Sequence, residues 1–171
     1  AVRQVTIFTI TAAGASATIW TVSVHEKTVT YIVQSGDDTT DVAIGIAAAL
    51  NASQVAEFQE ATYTSAGPVV FATAATAGVP FVIDSVSNSG PGTVSAISDS
   101  TVSRGPSHWD DPNNWSLAAV PVTGDDVDLQ DCSVDIKYGL AQSGVTLASL
   151  NIYSTYTGKL GLPSQTGGYY E

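Results

Sequence analysis

β-Branched residues are concentrated in short segments along the first half of the chain, and this pattern predicts β-strands. Three such segments lie at residues 5–10, 19–24 and 28–33. Polar residues separate the second segment from the third, so these two are expected to pair as a hairpin. A second hairpin is predicted around an Ala-Gly-Pro turn, and one more strand follows a Gly-Val-Pro turn. These later strands are predicted at residues 61–65, 69–73 and 81–86.

The period of the apolar residues changes after a Gly-Asp-Asp turn. From Val42 to Leu50 they follow the spacing i, i+4, i+7 and i+8, which places them on one face of a helix. Asp38 or Thr39 is available as the N-cap. The spacing therefore predicts a single amphipathic helix at about residues 39–51.

These elements divide the chain into three parts. Residues 1–88 are predicted to form an α+β module of the order β-β-α-β-β, with the helix packed on a sheet. Residues 89–106 contain a turn-rich Asn-Ser-Gly-Pro-Gly run and a polar bridge, which are typical of a linker or a connecting strand. A different pattern, rich in aromatic residues and turns, begins near residue 107 and continues to residue 171.

Two of the three tryptophans lie six residues apart around an Asp-Pro-Asn-Asn turn in this last part. An X-Pro step at Pro121, a Gly-Asp corner and an alternating strand follow them. Large rings packed around tight turns can cover the first open edge of a sheet. We therefore predict that Trp109, Trp115 and Pro121 form a structural cap.

The segment 108–129 resembles the opening of right-handed parallel β-helix domains in bacterial surface proteins and phage structural proteins. Residues 133–136, 144–152 and 157–162 are similar to the first strands of successive coils. The resemblance implies a chain that is mainly β with one helix, in which the α+β module precedes the start of a parallel β-helix. A β-helix with so few coils leaves its last coil uncovered, so we expect the chain to be cut from a longer protein.

The first module resembles a small α+β module of phage tail and virion proteins and of bacterial surface proteins. The likeness lies in a strand pair ending in a Gly-Asp turn, an Ala-rich helix, and a second strand pair that reaches the Thr-Ala-Gly-Val-Pro-Phe step at residues 76–81. It carries no catalytic residue over to this chain. It therefore supports a place in an extracellular assembly and no particular chemistry.

Charge excludes one class of partner. The chain has 5 Lys and Arg against 16 Asp and Glu, which gives a formal net charge of −11. The phosphate backbone of a nucleic acid would be repelled, so DNA or RNA binding is not expected. The sequence also has no run of 18 apolar residues, so no membrane span is predicted.

Acidic residues are the main candidates for a metal site. Asp125, Asp126 and Asp128 could offer hard oxygen ligands to Ca²⁺, but the twelve-residue loop with its closing Glu is missing. Asp residues next to Gly usually shape turns through local hydrogen bonds. The turn role is therefore favoured over the calcium role, and we expect no metal or other cofactor.

The remaining reactive residue types give no catalytic pattern. His25 and His108 stand apart from any Gly-x-Ser-x-Gly motif, so surface or packing roles are favoured. Cys132 is the only cysteine, and it is predicted to be a small buried residue in a strand. The rings of Trp20, Trp109 and Trp115 could stack on sugars, but core or cap positions are favoured.

The first hypothesis for function is a non-enzymatic structural component of a phage virion, such as a capsid decoration or fibre protein. It would form a homo-oligomer, with the resemblance favouring a trimer, and attach to a capsid or surface lattice, with a host glycan as a further partner. Two alternatives stay open. One is a bacterial cell-surface adhesin or surface-layer protein, and the other is a β-helix polysaccharide lyase or hydrolase whose active coils lie beyond residue 171.

Overall fold

Two compact units make up the chain in the computed structural model, which describes residues 1–162, 165–166 and 169–170. One unit is Arg3–Ser103, and the other is Arg104–Glu171 together with Ala1–Val2. The protein is mainly β, with one long helix. The strands are Val5–Ala12 (β1), Ile19–Val24 (β2), Lys27–Ile32 (β3), Ala61–Ala66 (β4), Val69–Ala74 (β5), Ser85–Asn88 (β6), Thr93–Val94 (β7), Ser98–Thr101 (β8), Asp126–Leu129 (β9), Ser149–Ile152 (β10), Gln165–Thr166 (β11) and Tyr169–Tyr170 (β12), and the helices are Thr39–Ala52 (α1) and the four-residue Ala56–Gln59 (α2).

Both predicted hairpins form in the first unit. β2 pairs with β3 along its whole length, and β4 pairs with β5 in the same way. The β2–β3 turn places His25 and Glu26 at positive φ, 45° and 66°. Positive φ at both central residues matches the right-handed twist of the flanking strands, although glycine or asparagine adopts it at lower cost.

The strand pairing beyond the hairpins differs from the expected single sheet. β1 pairs with β5 and not with β2, which gives one antiparallel sheet of order β4-β5-β1 that β7 and β8 extend along β1. A second antiparallel sheet has the order β3-β2-β6. The helix α1 packs against β4, β5, β1 and β3. The single-sheet expectation was wrong because alternation identifies a strand but not its distant partner.

The strand predicted at residues 81–86 begins only at Ser85. The backbone of Phe81 is hydrogen-bonded to the side chain of Gln4 instead of to another strand. Its N–H donates to Gln4 Oε1 at 3.2 Å, and its carbonyl accepts from Gln4 Nε2 at 2.8 Å. Gln4 Nε2 also lies 2.9 Å from Thr6 Oγ1. This buried network replaces the ladder that a strand would have formed there.

The predicted helix is confirmed. Asp38 is its N-cap and accepts from the backbone N–H groups of Thr40 and Asp41, while the Asp41 carboxylate accepts from the Asp38 N–H to complete a capping box. The apolar face of α1 enters the core of the first unit between the two sheets. That core contains nineteen buried hydrophobic residues among those described, and Trp20, Phe8 and Phe58 are the largest of its fully buried side chains.

The segment between the two predicted modules contributes strands to the first unit. β7 pairs with the end of β1, and β8 pairs with its beginning. Of the two roles expected for residues 89–106, the structure gives this stretch that of connecting strands. The first unit consequently extends to Ser103.

The second unit holds a small parallel sheet. β9 and β10 pair in parallel over four residues, and single parallel bridges join His108 to Tyr138 and Ile136 to Leu160. The strands expected at residues 133–136 and 157–162 are therefore reduced to isolated bridges. Within the described residues, the helices are too short or too polar to span a lipid bilayer.

Candidate functional site

The aromatic turn of the second unit is built around one carboxylate. Asp111 caps a single 3-10 turn, Pro112–Asn114, and its Oδ1 accepts from the Asn113 backbone N–H at 3.0 Å and from Asn113 Nδ2 at 2.9 Å. The bond from the Asn113 backbone is the largest of the effects that hold the pKa of Asp111 below its usual value. The turn is therefore stabilised by the ionised carboxylate.

The turn brings the two predicted cap tryptophans together. The rings of Trp109 and Trp115 meet edge to face, with centroids 4.7 Å apart and planes at 68°. Trp115 Nε1 donates to the Trp109 carbonyl at 2.8 Å. Trp109 and Pro121 are buried, and Trp115 is half-buried. This edge-to-face pair adds about 0.5–1.5 kcal/mol beyond the area it buries.

Asn114 is a residue of this turn that the sequence reasoning missed. Its Nδ2 donates to the carbonyls of Gly105 at 2.9 Å and His108 at 2.7 Å. These two bonds tie the turn to the chain that enters it. The Asn-Asn-Trp sequence was the available signal, since an amide beside a turn often bonds local backbone groups.

Beyond the His108–Tyr138 bridge, parallel contacts between residues 123–136 and 146–160 of the second unit recur at a nearly constant sequence separation. Within β9 and β10, Asp126 is paired with Ser149, and their side chains bond across 23 residues. Further on, the Asp131 N–H donates to Thr155 Oγ1 across 24 residues. The Tyr156 hydroxyl reaches the Val134 carbonyl across 22 residues. Two successive layers of chain are thus held in register at a separation of 22–24 residues, and we call these layers rungs.

The three aspartates considered for calcium have local partners. Asp125 Oδ2 accepts at 2.8 Å from a backbone N–H three residues earlier. Asp126 Oδ1 accepts from Ser149 Oγ at 2.6 Å, and Asp128 Oδ1 accepts from Asn151 Nδ2 at 2.8 Å. In the part of the chain that the structure describes, no group of three or more His, Cys, Asp or Glu side chains could hold a metal ion.

A second carboxylate and a tyrosine join the rungs further along the chain. Asp135 Oδ1 accepts from the Lys159 backbone N–H at 2.8 Å, and this bond is the main cause that lowers the pKa of Asp135. The Tyr156 hydroxyl lies 3.0 Å from the Val134 carbonyl oxygen and 3.2 Å from that of Lys159, and it shares its proton between them. Burial is the main cause that raises the pKa of Tyr156.

An open groove of about 720 Å³ lies beside these rungs. It adjoins the small core of the unit, in which Trp109, Val127 and Leu129 are buried. Apolar and aromatic residues form much of the groove wall, and aspartates of the rungs also line it. The lining includes Trp115, Leu117, Pro121, Ile136 and Tyr156.

The histidines and the cysteine occupy different environments. His108 is buried, with its ring centroid 5.0 Å from that of Tyr138 and its Nδ1 3.3 Å from Asp110 Oδ1. His25 lies in the β2–β3 turn. The prediction of a buried Cys132 was wrong, because it follows the Asp131 turn, where φ is 50°, and its thiol is exposed.

Polar and aromatic side chains of the second unit pack together and join its rungs. The carboxylates of the rungs hold backbone and side-chain donors, and the aromatic rings build the core beside the groove. Comparison with protein-family models and with curated proteins gives no match for this sequence.

Proposed function

We propose that the protein is a non-enzymatic structural component of a phage virion, such as a capsid decoration or fibre protein. In this proposal the second unit is the capped start of a right-handed parallel β-helix, with Trp109, Trp115 and Pro121 as the cap. The protein acts by assembling into a homo-oligomer, a trimer by resemblance, and by attaching to a capsid or surface lattice.

Two pairs of apolar residues, each aligned between β9 and β10, are the main support for the proposal. Val127 and Leu129 in β9 are 4% and 6% exposed, whereas their register partners in β10, Leu150 and Ile152, are 45% and 56% exposed. Each buried apolar residue of the first rung is therefore paired with an exposed apolar residue of the second. A stacked parallel fold buries such a column only when a further layer or a partner covers it.

The separation between rungs supports the same proposal. Contacts at 22, 23 and 24 residues occur at three places along the layer, so the stacking involves more than the short β9–β10 sheet. A repeated separation of this kind is typical of solenoids, in which each repeat contacts only its neighbours. The open groove is then the interior of a coil beside its cap.

The charge of the chain fits a lattice component in water. With a net charge of −11 the exposed surfaces repel nonspecific partners and stay hydrated. Attachment must then rely on surfaces that are apolar or neutral, and the exposed residues of β10 are such a surface.

Cosedimentation tests the proposal. The purified chain is mixed with phage capsids that lack it, and separately with bacterial cell walls. We expect saturable binding to capsids and none to cell walls. In a matched pair of variants, Ile152→Asp should weaken the binding because it charges the open rung, while Val122→Asp, at an exposed apolar position outside β10, should not.

The alternatives have their own outcomes in this experiment. Binding to cell walls alone would replace the virion role with that of a surface adhesin. Release of sugar fragments from a panel of host polysaccharides would indicate a lyase or hydrolase. Absence of binding to either material would overturn the structural role.

A further inference from the structure

The open groove of the second unit reaches β9 from the edge of the strand. Six consecutive residues, 125–130, line it. Val127 and Leu129 are buried in the core, whereas Asp126 and Asp128 are exposed on the opposite face of β9. A groove that touches residues of both faces must lie along the edge of the strand. None of the described lining residues belongs to β10, so the groove follows the edge that β10 leaves open.

The backbone at this edge has hydrogen-bonding groups but no neighbouring strand among the described residues. The carbonyls of Asp125 and Leu129 accept from backbone N–H groups just before and just after β10, at 2.8 and 3.0 Å, so the odd-numbered positions direct their backbone groups toward β10. Neighbouring residues of a strand direct these groups to opposite sides. The N–H and C=O groups of Asp126 and Asp128 therefore face the groove. Such an edge is a template for a further strand.

Carboxylates make one wall of the groove negative. Asp125, Asp126 and Asp128 line it, and no lysine or arginine is among the described lining residues. Asp126 and Asp128 each use Oδ1 to accept from a side chain of β10, at 2.6 and 2.8 Å, and their Oδ2 atoms accept no hydrogen bond from the described residues. A positively charged ligand is attracted to this wall, and an acidic ligand is repelled by it.

The other wall of the groove is apolar. Trp115, Leu117 and Ile136 line it beside the core that holds Val127 and Leu129. A strand added to the edge of β9 alternates as β9 does, with one set of side chains beside the carboxylates and the other beside the apolar residues. The groove therefore fits a segment in which basic and apolar residues alternate. The five Lys and Arg of this chain are widely separated in the sequence, so a second copy does not supply such a segment.

We propose that the groove binds an extended basic segment of a partner protein, which adds to β9 as a further strand. Backbone hydrogen bonds to Asp126 and Asp128 hold the segment, and the two walls select its side chains. β9 has four residues and a strand rises about 3.3 Å per residue, so the contact is about 13 Å long and takes about four to six residues. The groove volume of about 720 Å³ lies within the usual range of ligand sites, about 300–1,000 Å³.

This binding role goes beyond the proposed assembly role and does not depend on it. The groove lies at the free edge of β9, whereas the proposed attachment uses the exposed residues of β10. A variant of the groove is therefore expected to lose peptide binding and to keep capsid binding.

Fluorescence anisotropy of a labelled Lys-Val-Lys-Val-Lys peptide with blocked termini tests the proposal on the full chain. We expect saturable binding with a Kd below about 1 mM. A Glu-Val-Glu-Val-Glu peptide should bind at least about tenfold more weakly, because it meets the carboxylates. The basic peptide methylated on every backbone nitrogen keeps its charge but loses its N–H donors, so it should also bind at least about tenfold more weakly.

Amide hydrogen exchange locates the bound peptide. The N–H groups of Asp126 and Asp128 should exchange at least about tenfold more slowly with the peptide bound, because a new strand covers them. The N–H groups of Val127 and Leu129 already face β10 and should change little.

A charge-removing variant tests the negative wall. Asp126→Asn keeps an acceptor oxygen for Ser149 but loses its charge, so it should weaken peptide binding about threefold to tenfold. Glu26→Gln makes the same change of charge at an exposed position of the first unit, and as the matched control it should have no effect.

Three results would overturn the proposal: no binding of the basic peptide up to about 1 mM, equal binding of the acidic or the methylated peptide, or unchanged exchange at Asp126 and Asp128 with the peptide bound. If the peptide binds in the expected way but the chain does not bind capsids, the inference stands and the virion role fails.

Discussion

The two units solve the problem of burying apolar residues in different ways. The first unit has nineteen buried hydrophobic residues in its described core, and the second has three. Antiparallel hairpins bring distant apolar faces together within one unit, so the first core closes on itself. A parallel rung covers only the rung beside it, so its core stays open on the far side. Whether a unit can bury its own apolar residues therefore depends on the direction of its strands as much as on its composition.

Replacing one tryptophan in each unit is the strongest way to compare them. Trp20 is fully buried, and its Nε1 donates to the Ala13 carbonyl at 3.0 Å. Trp20→Ala should lower the free energy of unfolding of the first unit by about 3–5 kcal/mol. Trp115→Ala should cost the second unit about 2–3 kcal/mol, because a half-buried ring loses less contact. Urea unfolding followed by tryptophan fluorescence and circular dichroism measures both.

Each tryptophan has a control in its own unit. Ile19 and Leu117 are exposed neighbours, so their alanine variants should unfold almost as the parent does. A second-unit transition that Trp115→Ala leaves unchanged would contradict the cap.

A fall in pH should change the stability of the two units in opposite directions. The pKa of Asp111 and of Asp135 is lowered in the fold by hydrogen bonds to the ionised carboxylate, so their contribution to stability is present above the usual value of 3.8 and is lost as the pH falls below it. Burial is the main cause that raises the pKa of Glu60 above its usual 4.5. The first unit is therefore relieved of a cost as the pH falls through that raised value.

Thermal unfolding between pH 7 and pH 3 measures the difference. We expect the transition of the second unit to shift down relative to that of the first. Asp111→Asn keeps an acceptor oxygen but removes the charge, so it should flatten the acid dependence of the second unit. Equal shifts of both transitions would contradict this assignment.

Removal of divalent cations by a chelator should leave the stability of both units unchanged. Asp125, Asp126 and Asp128 accept hydrogen bonds from the protein itself. EDTA is therefore expected to leave the melting temperature unchanged, because no bound ion contributes a linkage term. A fall of several degrees that Ca²⁺ reverses would assign these carboxylates to a metal site instead.

Local features of the fold could be predicted from the sequence, and distant pairings could not. The helix followed from the spacing from Val42 to Leu50 and from the Asp38 cap, and both hairpins followed from their turns. The pairing of Ile7 with Phe71 joins residues more than sixty positions apart, and alternation carries no information about that choice.

In the second unit, too, local contacts could be predicted from the sequence and distant contacts could not. The proximity of Trp109 and Trp115 could be predicted because one tight turn brings them together. The constant separation between rungs could not, because different residues make the contact at each place: a carboxylate with a serine, a backbone N–H with a threonine, and a tyrosine with a carbonyl.

The separation between rungs also relates chain length to physical height. Parallel strands lie about 4.8 Å apart, so 23 residues between paired positions raise the stack by only about 0.2 Å per residue, against 1.5 Å in an α-helix. A parallel stack about 100 Å tall with this separation would need about 480 residues. Insertions in the connecting loops would widen such a stack without making it taller, so its height would change only by whole rungs.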